Sequence, residues 1–139
     1  MRVAPLAVAL SLALAGAAGA AGMTVKDEMK TVVDPATNTI FAVGGEVDPA
    51  NGPDAAKVSA ARWAEALAAS QKLKGAAVHL VGPQKQPGEA WTKSAADFAK
   101  LADDAEKAAM KKDGAGFSTA ANGLGDTCTA CHSKYKKQT

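Results

Sequence analysis

The strongest constraint in this 139-residue chain is a short stretch near its C-terminus, Cys128-Thr129-Ala130-Cys131-His132. Its two cysteines are the only ones in the chain, they stand three positions apart, and a histidine follows the second one directly. On a helix, residues at i, i+3 and i+4 share one face, so the two thiols and the imidazole can reach one ligand. C-x-x-C-H is the spacing of a covalently attached c-type haem. The motif predicts one haem c, with Cys128 and Cys131 as thioether anchors and His132 as the proximal iron ligand.

Three other interpretations of the paired cysteines stay open. A redox-active dithiol of the thioredoxin kind shares the C-x-x-C spacing, but it requires a βαβ context. A structural zinc site needs four ligands, usually from a second pair, and the only other histidine is His79. A structural disulfide is the third. We favour haem because the complete C-x-x-C-H pattern is more specific than any of these.

The composition predicts an all-α protein with one domain. A chain of 139 residues has no room for two cores. Its hydrophobic content is 47%, but aromatic residues make up only 4% and alanine is frequent, which is typical of helices. Four amphipathic segments joined by short loops predict an antiparallel up-and-down four-helix bundle. A core of alanine fills little volume, which leaves space for a haem.

Helix-breaking sequences separate the four segments. The predicted helices span about residues 23–43, 55–81, 89–111 and 115–136. Asp34-Pro35 interrupts the first helix, either by a kink or by starting a new helix with Asp34 as its cap. Gly44-Gly45 is expected to end that helix, and Asp54 is the expected cap of the second one.

The fourth segment carries the motif on its apolar stripe. The residues of this stripe follow one another in steps of four and three: Phe117, Ala121, Leu124, Cys128, Cys131 and Tyr135. Such a heptad-like pattern marks the side of a helix that faces a bundle core. The cysteines are therefore predicted to face the core, with the haem packed against or inside it.

The N-terminus is predicted to be an export signal. Residues 1–21 contain a single charge, Arg2, followed by an apolar core from about Leu6 to Leu14 and a tail of small residues. This core is short for a membrane anchor, which needs about 20 apolar residues, whereas the small-residue tail is typical of a signal-peptidase site. We predict a signal peptide at 1–21 and a mature bundle domain at 22–139, located in the periplasm without stable membrane association.

Charge and motif content exclude several classes of function. Removal of the predicted signal peptide, which contains Arg2, would lower the formal net charge from +2 to +1. A protein with so small a net charge gives no basis for predicting nucleic-acid binding. The sequence contains no glycine-rich phosphate loop, no Ser/His/Asp arrangement and no paired carboxylates in an apolar setting. No catalytic residue is predicted, and the protein is not expected to be an enzyme. Its one basic cluster, Lys134, Lys136 and Lys137, is either a solvated helix end or a docking patch.

In its helices and its motif, the chain resembles the class II cytochromes c, the cytochrome c prime family. The resemblance covers the architecture of the whole mature chain. In sequence it rests on CTACHSKYK and on the residues DEMK at positions 27–30. The family usually has an arginine after the aromatic residue that follows the haem histidine, but this chain has Lys136 after Tyr135. Lysine lacks the planar fork of arginine, so no bidentate role is carried over to it.

The resemblance implies one of two functions. Members with a methionine from the first helix as the sixth iron ligand look like low-spin electron carriers. Members without it have a five-coordinate, high-spin iron and bind small gases such as nitric oxide or carbon monoxide. We expect an electron carrier that docks with redox partner proteins and binds no substrate. Family members often dimerise through their first two helices, so a homodimer stays open.

Met29 and His79 are the two candidates for the sixth ligand. Met29 lies on the apolar stripe of the first segment, and its thioether would favour ferrous iron and raise the reduction potential. Its alternative role is core packing, which is common for a methionine on an apolar face. His79 could supply a second imidazole, but a lone histidine near a helix end is more often a surface or capping residue. We therefore expect Met29 to be the distal ligand.

Overall fold

The computed structural model describes residues 22–55 and 57–136, and every regular element within them is helical. Helix α1 has three consecutive sections: Val25–Glu28 and Asp34–Glu46 are α-helical, and Met29–Val33 between them is π-helical. The other helices are α2 (Ala60–Val81), α3 (Glu89–Lys111) and α4 (Gly114–Tyr135), and a 3₁₀ turn, Pro49–Asn51, follows α1. The predicted signal peptide lies outside the described residues. None of the helices that are described is both long and apolar enough to cross a bilayer.

Helix α1 continues through Asp34-Pro35, where the sequence predicted a kink or a new helix. Proline has no N–H group to donate within a helix. The irregularity lies in the π-helical segment just before it, where the N–H of Asp34 donates to the C=O of Met29. The chain therefore keeps one helix through the proline by winding the preceding turn more widely.

The predicted end of α1 at Gly44-Gly45 is wrong, since the helix runs on to Glu46. A β-carbon built on Gly44 would lie 2.6 Å from the Cβ of Ala121 on α4. Real β-carbons do not approach so closely, so only glycine fits at this position. Gly44 allows α1 and α4 to make close contact, and it does not end the helix.

Helix α2 begins later than predicted. Its N-cap is Ser59, whose hydroxyl accepts a hydrogen bond from the N–H of Arg62 at 3.1 Å. Asp54, the expected cap, instead pairs with Lys57 in the preceding turn. Helices α3 and α4 begin and end within one or two residues of their predicted bounds. The side chain of Asp113 caps α4 by accepting a backbone N–H at 3.0 Å.

Contacts between helix ends show that consecutive helices are antiparallel. The start of α1 meets the end of α2, where Glu28 Oε1 lies 2.6 Å from His79 Nδ1. The start of α3 meets the ends of α2 and α4, because Trp91 Nε1 donates to the C=O of Leu80 at 2.9 Å and the Trp91 ring packs edge-on against Tyr135, with centroids 5.1 Å apart. We call this end of the bundle, formed by the first turns of α1 and α3 and the last turns of α2 and α4, the motif end.

Contacts between helix ends also connect the helices at the opposite end of the bundle. Arg62 near the start of α2 forms an ion pair with Glu46 at the end of α1, with an N–O distance of 2.6 Å. The rings of Trp63 and Phe117 pack edge-on, with centroids 5.8 Å apart. Between the two ends, alanine occupies many of the buried positions, above all on α2 and α3. The prediction of an all-α protein with four packed helices is confirmed.

An ion-pair network links α2 and α3 at the surface. Lys74 Nζ lies 2.9 Å from Asp103 Oδ1 and also pairs with Glu106, while Lys107 pairs with Asp103 along α3. The ammonium groups of Lys107 and Lys74 lower the pKa of Asp103 from its ordinary value of 3.8 to about 2. The carboxylate of Asp103 is therefore favoured in the folded state.

We expect Gly44→Ala to destabilise the bundle, because its new β-carbon would meet that of Ala121 at 2.6 Å. The free energy of unfolding should fall by about 1–3 kcal/mol in urea denaturation. Gly45→Ala is the matched control, since a β-carbon there meets nothing within 4 Å. The control should keep its stability or gain up to about 1 kcal/mol from the higher helix propensity of alanine. Equal losses in the two variants would contradict the close contact.

The Asp103 network predicts a pH dependence of stability. A carboxyl group whose pKa is lower in the folded chain stabilises the fold above its ordinary pKa, and this contribution is lost as the pH falls through the folded value. Asp103→Asn should therefore be less stable than the wild type at neutral pH, and the difference should shrink as the pH falls from 3.8 towards about 2. Thermal unfolding followed by circular dichroism measures this. Asp97→Asn, which breaks an exposed pair within α3, should lose little stability at neutral pH.

Candidate functional site

The last turns of α4 carry the C-x-x-C-H motif on the predicted stripe. Phe117, Ala121 and Leu124 on this stripe are buried, whereas Cys128 and Cys131 further along it are half-buried. The stripe therefore leads from the core to the surface at the motif end. Both thiols lie at the boundary between the packed interior and solvent.

Burial raises the pKa of both cysteine thiols above the ordinary value of 9.0, and the neighbouring Cys131 raises that of Cys128 further. Both are free thiols. They lie near the C-terminal end of α4, where the negative end of the helix dipole disfavours a thiolate. Redox-active dithiols have the opposite setting, with a thiol pKa lowered at a helix N-terminus or beside a cation. The surroundings of these cysteines favour neutral thiols and do not suit a thioredoxin-like dithiol.

His132 follows at the surface, with its side chain exposed. Partial loss of solvent and the nearby Lys136 ammonium lower the pKa of the His132 imidazole below its ordinary value of 6.5. A lower pKa favours the neutral ring at pH 7, which is the form that binds a metal ion. Within residues 22–55 and 57–136, no group of three or more His, Cys, Asp or Glu side chains is arranged to hold a metal.

Packed apolar side chains border the motif. Trp91 is buried and fixed by its hydrogen bond to the C=O of Leu80, and Tyr135 packs against its ring. Cys131 and Tyr135 both pack against the main hydrophobic core. Two thiols and an imidazole within five positions of one helix, beside packed apolar side chains, are the groups that covalent attachment of a haem requires. The residues present fit haem c.

Met29 lies at the motif end, at the first position of the π-helical segment of α1. It is half-buried and packs against the main hydrophobic core. Helices α1 and α4 are antiparallel, and a β-carbon on Gly125 would lie 4.0 Å from the ring of Phe41. Both Met29 and His132 lie beyond this contact towards the motif end. Along the bundle axis, Met29 lies further from the contact than His132 does, by about five residues or roughly 7 Å. The fold brings the two predicted iron ligands to the same end of the molecule.

His79 is also at the motif end, but it is neither a surface residue nor a helix cap. Its side chain is 25% exposed, and its Nδ1 lies 2.6 Å from Glu28 Oε1. One nitrogen of the ring is therefore occupied by a carboxylate. The structure pairs His79 with Glu28, whereas its position near a helix end suggested a surface residue or a helix cap.

Glu28 is the residue of this region that sequence reasoning missed. Its side chain is almost completely buried, at 2% exposure, between Asp27 and Met29 in a stretch that appears polar. The signal was present in the spacing, because Val25, Glu28 and Val32 follow in steps of three and four on one helix face. A carboxylate at such a position is unusual, since buried charges require partners.

No family model, characterised protein or solved structure matches this chain. The resemblance stated from the motif and the helices therefore stays a prediction. The function has to be inferred from the residues of the site.

The cysteine environment predicts slow alkylation in protein isolated without haem. Only the thiolate reacts with iodoacetamide, and burial raises the pKa of both thiols. The rate should be low at pH 7 and should reach half its maximum above pH 9.0, measured by mass spectrometry over a pH series. The same chain unfolded in urea is the control and should react at lower pH. A half-maximal rate below pH 8 in the folded protein would indicate an activated dithiol instead.

Proposed function

We propose that the protein is a monohaem c-type cytochrome that carries single electrons between partner proteins in the periplasm. The observation that carries this proposal is the C-x-x-C-H motif on one side of α4, with both thiols at the edge of the core and the imidazole of His132 beside them. When bound, haem c supplies an iron centre that exchanges one electron at a time.

The three motif residues have separate roles. Cys128 and Cys131 hold the porphyrin through two thioether bonds and so fix its position on α4. His132 binds the iron from the same helix, and partial loss of solvent together with Lys136 keeps its imidazole neutral for this purpose. Because all three residues lie within five positions of one helix, the group would be held rigidly relative to the bundle.

Met29 is the proposed distal ligand. It supports this role by lying at the motif end, half-buried, on the first helix. A thioether is a soft, neutral ligand that stabilises ferrous over ferric iron. The buried apolar side chains of Trp91 and Leu80 at the motif end would work in the same direction, because low polarity disfavours the additional positive charge of the ferric state.

The surface of the motif end suits brief docking with redox partners. Val78 and Val81, in the last turns of α2, are 67% and 50% exposed. Lys134 and Lys136 lie exposed at the end of α4. A small apolar area with lysines at the same end matches the needs of transient electron-transfer complexes, which bury little surface and rely on charge for orientation. The proposal includes no catalysed reaction and no nucleic-acid partner.

The alternative is a five-coordinate protein that binds small gases such as nitric oxide or carbon monoxide. The packing of Met29 against the main hydrophobic core favours it, because core packing is the common role of a methionine on an apolar helix face. If Met29 is only a core residue, the distal side is open to a diatomic ligand.

The absorption spectrum of the purified ferric protein tests the proposal. We expect a low-spin spectrum with the weak thioether-to-iron charge-transfer band, and we expect Met29→Ala to lose that band and become high-spin. Met110→Ala is the matched control, because Met110 is 67% exposed at the opposite end of the bundle and should leave the spectrum unchanged. A high-spin ferric wild type that binds carbon monoxide rapidly in its ferrous form would favour the alternative.

A further inference from the structure

Glu28 is a buried carboxylate at the motif end. One of its oxygens, Oε1, lies 2.6 Å from His79 Nδ1, but the other, Oε2, is buried without a hydrogen-bond partner among the described residues. A buried carboxylate with one unpaired oxygen is unfavourable, and an apolar side chain of similar volume is often neutral or stabilising at such a place. The stability of the bundle alone therefore does not explain why the chain has a glutamate here.

Glu28 is the last residue of the first α-helical turn, and Met29 begins the π-helical segment. Successive side chains of a helix point about 100° apart, so a contact that fixes the direction of Glu28 also fixes the direction of Met29. A π-helical segment is a local irregularity of the helix. The first turn of α1 therefore depends on contacts with its neighbours for a defined orientation.

Those contacts come from the end of α2 and the loop after it. Besides the Glu28–His79 bond, Gln84 Nε2 donates to the C=O of Met23 at 2.8 Å. The N–H of Gln84 donates to the C=O of His79 at 2.8 Å. Two side-chain hydrogen bonds thus connect the start of α1 to one rigid part of the molecule, and the one made by Glu28 is next to Met29.

We propose that Glu28 is a positioning residue for Met29. Its hydrogen bond to His79 holds the first turn of α1 against α2 and so keeps the Met29 thioether in place on the iron. An external ligand can then bind only when this turn opens. The inference rests on the proposed function, and it adds that the Glu28–His79 pair determines how firmly the distal side is closed.

The test compares Glu28→Leu with Glu28→Gln in the haem-loaded protein. Leucine retains the buried volume and removes the hydrogen bond, whereas glutamine retains an acceptor for His79. The readout is the rate of carbon monoxide binding to the ferrous protein, which is limited by release of Met29. We expect Glu28→Leu to bind about tenfold faster or more, as loss of a hydrogen bond to a charged group allows. Glu28→Gln should stay within about threefold of the wild type.

Two further variants separate positioning from general loosening. If Glu28 acts through Met29, the leucine substitution should have no effect on the rate in a Met29→Ala background. Gly44→Ala, which strains the contact between α1 and α4 at a distance from the motif end, should lower stability without changing the rate in the Met29-containing protein. Hydrogen exchange provides a readout independent of ligand binding, and the amides of residues 28–33 should exchange faster in Glu28→Leu only.

The outcomes distinguish the two proposals. A low-spin wild type whose Glu28→Leu variant binds carbon monoxide at the wild-type rate overturns the positioning role and leaves the electron-carrier proposal in place. A rate increase that persists in the Met29→Ala background, or a Glu28→Gln rate as fast as that of Glu28→Leu, also overturns it. A high-spin ferric wild type overturns methionine ligation, and the positioning role with it.

Discussion

Gly44 and Ala121 bring α1 and α4 closer together than larger side chains would allow, with no room for even one additional β-carbon. Similar small residues occupy much of the core on the other helices. Close packing gives each helix many weak contacts with its neighbours, so the bundle needs few large apolar groups. The few that it has, such as Trp63, Trp91 and Phe117, make aromatic contacts between helices near the two ends.

The two ends of the bundle differ in their polar contacts. At the end away from the motif, the Arg62–Glu46 ion pair lies at the surface, where such pairs contribute little to stability. At the motif end the contacts are partly or fully buried, including the indole N–H of Trp91 and the carboxylate of Glu28. Buried hydrogen bonds fix relative positions more strictly than exposed ion pairs do. The buried hydrogen bonds of Trp91 and Glu28 lie at the end that carries the cysteines and Met29.

Much of this arrangement could be predicted from the sequence, and the exceptions have physical causes. The bounds of α3 and α4 and the stripe of α4 followed from periodicity and helix-end signals, because these are local properties. Gly44 was misinterpreted because its role is set by Ala121, 77 positions further along the chain. The spacing of Val25, Glu28 and Val32 did indicate a buried face, but Glu28 was missed because the partner that makes a buried carboxylate possible, His79, is 51 positions away. The C-x-x-C-H motif is recognisable in sequence because all of its residues lie within five consecutive positions of one helix.

The π-helical segment Met29–Val33 amounts to one additional residue inserted into the first helix. A π turn rotates less per residue than an α turn, so it takes up the additional residue without redirecting the turn before it. Deletion of one residue there would restore a regular α-helix and leave Glu28 facing His79. A deletion in the regular part of α1, Asp34–Glu46, would instead turn everything before it by about 100°. The π-helical segment is therefore the place in the first helix where the chain can lose a residue and still present Glu28 and Met29 at the motif end.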